Sequence, residues 1–97
     1  MSHDRFRRII FDVETWMQHA HDDRQYGYWW GFASGVRRHY REENSQNALH
    51  EHLHGREDEV GRGYRDGLSI ARGEPVSPAE EFVQAAPGRG HMRTGKR

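Results

Sequence analysis

Two short segments, Gly31 to Val36 (GFASGV) and Gly63 to Leu68 (GYRDGL), share the pattern Gly-aromatic-x-x-Gly-aliphatic at a separation of 32 residues. Both lie where apolar residues recur at helical spacing, and a glycine inside a helix costs about 1 kcal/mol relative to alanine. Four glycines set in pairs at i and i+4 therefore need a compensating contact. Such a pair leaves a groove on one helix face, which lets a neighbouring backbone come close. The device is familiar between membrane helices, but both segments are too charged to span a bilayer. Gly31, Gly35, Gly63 and Gly67 are expected to line helix-helix contacts. Those contacts lie either within one chain or across the twofold axis of a homodimer.

The rest of the chain reads as helix too. Phe6, Ile9, Ile10, Val13, Trp16, Met17 and Ala20 fall on one stripe, which predicts a first helix from about Asp4 to His21. Asp22 or Asp23 can cap a second helix, Arg24 to Glu42, on which Tyr26, Trp29, Ala33, Val36 and Tyr40 share a face. Ser45 or Asn47 can cap a third stretch carrying Leu49 and Leu53; Gly55 interrupts it, and Val60, Tyr64, Leu68 and Ala71 continue the spacing. Ser77, Pro78 and Glu80 match an N-cap, a first-turn proline and a capping-box glutamate, opening a short helix to about residue 86. Nothing alternates with period two long enough for a strand. The expected fold is all-α, a single domain over residues 1–86 built as a bundle of four or five helices, with a disordered basic tail over 87–97.

Composition narrows the function classes. The 97 residues include no cysteine, so disulfides and thiolate metal sites are excluded. No apolar run is long enough for a membrane span or a signal peptide, which points to the cytoplasm. The net charge of zero hides an asymmetry: the tail from Pro87 carries four basic residues and no acid, leaving 11 basic against 15 acidic residues elsewhere. A mildly acidic body does not resemble a nucleic-acid surface.

The stretch His50-Glu51-His52-Leu53-His54 contains HExxH, the zinc-hydrolase spacing that sets two histidines one helical turn apart with a glutamate to activate water. A third ligand is hard to find. The extended motif would put glycine at 57 and histidine at 60, where this chain has Glu57 and Val60; Glu74, Glu80 and Glu81 are the downstream alternatives. With eight histidines in the chain, the motif has a ready origin in composition. His50 and His54 are retained as candidate metal ligands, with Glu51 as candidate base of a runner-up hydrolase, and no metal or other cofactor is expected.

The segment Tyr26 to Phe32, YGYWWGF, is the other concentration of chemistry. Tyr28 and Phe32 project away from the stripe of Tyr26, Trp29 and Ala33, and Trp30 lies on yet another side. A bundle this small lacks the interior for every ring, unless the helix is central and buried on nearly all sides. Exposed aromatics beside arginines have the composition of an interface core. Tyr28, Trp29, Trp30, Phe32, Arg37, Arg38 and Arg41 are therefore the candidate partner-binding residues. Base stacking on the same rings, with arginines on phosphates, is the nucleic-acid alternative.

Between Tyr26 and Ala71, the combination YWWGFASGVRRHY followed by GRGYRDGL resembles small helical proteins of bacteriophages and prophages. The resemblance implies no enzymatic activity and transfers no residue roles. It implies a setting in which proteins of this size act stoichiometrically on host machinery, anti-CRISPR and other anti-defence inhibitors among them. The expected function is accordingly a non-enzymatic protein-protein interaction module that binds a host or defence protein, as a homodimer.

Overall fold

The computed structural model describes residues 1–41 and 48–78, with the side chains of 48–50 excepted. Four α-helices and no strand are found among the described residues: α1 (His3–Gln18), α2 (Asp23–Arg41), α3 (Ala48–His54) and α4 (Glu59–Ala71). The expected helix over 78–86, the tail and the Ser45 or Asn47 cap lie outside them.

Local chemistry sets the helix ends. Ser2 caps α1, its hydroxyl accepting from the Arg5 amide at 3.1 Å, so the helix begins one residue before the apolar spacing suggests. Asp22 caps α2 by accepting from the Gln25 amide at 2.9 Å, and the Gln25 side chain reaches back to the His21 amide. The two bonds act reciprocally, in the manner of a capping box. Asp58 caps α4 through the Gly61 amide at 3.2 Å and is paired with Arg56, whose guanidinium holds the Asp58 carboxyl below the usual carboxylate range. Arg65 donates to the carbonyls of His54 and Arg56, both at 2.7 Å, satisfying backbone oxygens where α3 ends.

The glycine pairs explain how these helices come together. A Cβ on Gly31 would run into the Val60 carbonyl oxygen, and one on Gly35 into that of Tyr64. Reciprocally, a Cβ on Gly63 would overlap the Tyr28 carbonyl oxygen and one on Gly67 that of Phe32. Residue numbers rise together on the two helices, so α2 and α4 run parallel, and the 32-residue repeat sets Gly31 alongside Gly63 and Gly35 alongside Gly67. In all four cases the opposed atom is a carbonyl oxygen, the arrangement of Cα–H···O contacts between closely packed helices. Each glycine forgoes helix propensity and gains backbone-to-backbone packing.

α1 packs antiparallel on the other side of α2. Trp16 and Trp29 stack with centroids 5.6 Å apart, and Phe6 stacks on Tyr40 at 4.0 Å. Val13, Trp16, Trp29, Ala33 and Val36 are buried between the two helices, joined by Tyr28 and Phe32 from the side of α2 that faces α4. Leu53 of α3 is buried with Tyr64 and Leu68 in a second cluster on α4. Arg5 ties the ends of the bundle together by donating to the carbonyls of Ile70 (2.7 Å) and Ala71 (3.2 Å). Its cation sits at the negative end of the α4 dipole.

Candidate protein-contact face

Because α2 is covered on two sides, its aromatic residues part company. Tyr28, Trp29 and Phe32 are buried, at 0, 4 and 5 % exposure, so the expectation that they form a partner surface is corrected: they are core. The periodicity of α2 alone could not indicate that a second helix, 32 residues away, would occupy the face carrying Tyr28 and Phe32. Tyr26 moves in the opposite direction, being 48 % exposed although it shares the Trp29 stripe. It stands in the first turn of α2, where the chain folds back and α1 has just ended. The four glycines are likewise consumed inside the chain, which removes them as a dimer face.

The described residues leave three large hydrophobic side chains exposed: Phe11 at 68 %, Tyr26 at 48 % and Trp30 at 41 %. All three lie on α1 and α2. Tyr26, Trp30, Ser34, Arg37 and Arg41 follow one another at intervals of three or four and form one stripe on α2, as Arg7, Phe11, Glu14 and Gln18 do on α1. Two contacts bring the stripes side by side: Arg37 donates to Glu14 at 2.9 Å, and Glu14, Met17, Gln18 and Tyr26 line a shared open dimple. Its volume of about 260 Å³ is below the range of roughly 300–1,000 Å³ of ligand pockets, so it suits a side chain better than a substrate.

Of the expected partner-binding residues, Trp30, Arg37 and Arg41 thus remain on this face, with Arg38 half-buried. Phe11 and Tyr26 are the members that sequence reading missed. Phe11 was legible as the apolar residue that falls off the α1 stripe.

The buried ring of Tyr28 is anchored by chemistry. Its hydroxyl donates to Asp66 at 2.6 Å, and burial, reinforced by that bond and the Asp66 charge, pushes its ionisation far above the ordinary tyrosine range. The folded protein therefore keeps this proton at a pH where the unfolded chain has released it, so stability falls as pH rises past about 10. Denaturant titrations are expected to show that Tyr28→Phe lacks a fall in stability of about 1.4 kcal/mol in total between pH 8 and 11, most of it above pH 10. Identical slopes in the two proteins would mean the hydroxyl is not held as described.

The HEHLH stretch occupies a helix of only seven residues, with Glu51, His52 and His54 exposed and Leu53 turned into the core. The His50 side chain lies outside the described residues. Among the described residues no group of three His, Asp or Glu side chains is placed to hold a metal ion. No described helix is long and apolar enough to cross a membrane. Comparison with known protein families, curated proteins and solved structures yields no match to this chain.

Proposed function

We propose that this chain is a cytoplasmic, non-enzymatic protein that works by occupying a surface of another protein, with the α1–α2 face as its contact surface. The observation that carries this reading is the exposure of Tyr26 and Trp30 on the side of α2 that Glu14, Met17 and Gln18 of α1 adjoin, with Phe11, the third exposed large hydrophobic among the described residues, at its outer margin on α1. Exposed aromatics flanked by arginine are enriched at the energetic centres of interfaces. The resemblance of the Tyr26 to Ala71 segment to phage proteins makes a host or defence protein the partner class to screen, an anti-CRISPR-like role included.

The test is a capture experiment from bacterial lysate with the purified full chain and two variants, Phe11→Ser and Trp30→Ser, whose helicity is checked by circular dichroism. A protein retained by the parent and weakened at least about tenfold by each variant is the expected result, since interface anchors cost about 2 kcal/mol or more when truncated. Capture that survives both changes but is lost in Glu51→Gln, or on chelation of divalent metal, would move the reading to the hydrolase. Captured material that proves to be nucleic acid would move it to the stacking alternative.

A further inference from the structure

We infer that, when no other protein occupies it, the α1–α2 face is covered by a second copy of this chain, joined about a twofold axis so that two antiparallel helix pairs close into a four-helix arrangement and self-association competes with partner binding. The inference rests on the reading of that face as a protein-contact surface, and charge placement carries it further. The face has an aromatic middle and opposite charges at its two ends. At the end where α1 begins, Arg7 and Arg8 are exposed, and Asp4 is the single acid in the first two turns. At the end where α1 turns into α2, Asp22 and Asp23 are exposed, while neighbouring Arg24 is directed to Glu59 of α4 at 3.7 Å. Glu14, nearer the middle, is already paired with Arg37.

A twofold axis through the aromatic middle brings unlike ends together. The Trp16–Trp29 and Phe6–Tyr40 stacks set the antiparallel register, and they place Trp30 level with residue 15 or 16 of α1. The midpoint between Phe11 and Trp30 then falls near Val13. At 1.5 Å per residue, Arg7 lies roughly 9 Å to one side of this point and the Asp22–Asp23 pair roughly 14 Å to the other. An arginine side chain spans that difference, so Arg7 of each copy meets the acidic turn of its mate while Phe11 and Trp30 cover one another across the axis. An isologous contact of this kind needs a patch complementary to itself, and a polar rim around an aromatic centre is the usual anatomy of one. The packing of two helix pairs is that of a four-helix bundle.

The experiment is sedimentation equilibrium of the full chain over about 1 to 500 µM, a window that brackets micromolar association. The parent is compared with Phe11→Ser, Arg7→Glu, Asp23→Arg and the double variant Arg7→Glu with Asp23→Arg. Asp23 is used because Asp22 caps α2. The expected result is a dimer that each single variant weakens about tenfold or more and that the double charge exchange largely restores. A parent that stays monomeric throughout overturns the inference, and the capture experiment with Trp30→Ser then decides separately whether the face binds another protein. A dimer indifferent to Phe11→Ser and to the charge changes also overturns it, since association would then use a different surface.

Discussion

Gly63→Ala is expected to lower the melting temperature by roughly 12 to 24 °C, from a cost of about 3 kcal/mol at 4–8 °C per kcal/mol for a domain of this size. The added methyl overlaps the Tyr28 carbonyl group, and beyond it the Phe32 amide nitrogen stands at 3.1 Å. Both atoms belong to the backbone of α2, so no side-chain rotation relieves the collision and α2 and α4 must move apart. That separation loosens Tyr64 and Leu68 on one side and Tyr28 and Phe32 on the other, all of them buried. The gain of about 1 kcal/mol in helix propensity is too small to offset it. Gly55→Ala is the internal comparison: its Cβ meets nothing nearer than the Glu51 carbonyl oxygen at 3.4 Å, and its stability should change by about 0.5 kcal/mol or less. Equal melting temperatures for the two variants, measured by differential scanning calorimetry, would contradict the parallel glycine contact.

The adjacent tryptophans of α2 give the second large effect. Trp29→Ala removes a ring that is 4 % exposed, stacked on Trp16 and set edge-on to Tyr28 at 4.8 Å. It should cost about 3–5 kcal/mol, a large share of the roughly 5–15 kcal/mol that holds a domain together. Trp30→Ala, one residue on, removes a ring that is 41 % exposed and should cost about 2–3 kcal/mol, in proportion to the smaller apolar area it withdraws from water. Equilibrium urea unfolding separates the two. The functional effects should run the other way, with Trp30→Ala folded but weakened in association and Trp29→Ala failing through loss of structure. A Trp29→Ala protein as stable as the parent would return Trp29 to the surface.

The division between these two residues marks where local reading stops. Along α1 a single apolar stripe was enough, because that helix packs on one neighbour and leaves Phe11 on its outer side. The N-caps at Asp22 and the break after His54 were legible too, since capping depends on residues three or four positions apart. On α2 the same periodicity points Tyr28 and Phe32 outward. It marks one stripe where the helix has two buried faces, and the second face is created by α4, which the chain reaches only after 17 intervening residues.

The alternation of apolar and polar residues determined that this chain is helical, and the paired glycines determined that two of its helices touch backbone to backbone. Both are consequences of geometry within a few turns of helix, where a missing Cβ or a stripe of side chains has a fixed direction. Tertiary structure alone decided that the glycine contact closes within one chain, in parallel and in the register of the 32-residue repeat. It also decided which aromatics were left over. Whether a ring is core or surface depends on what lies opposite it. For Tyr28 that is Asp66, 38 residues away, and for Trp30 it is solvent. Burial is a relation between distant segments, and no local period encodes it.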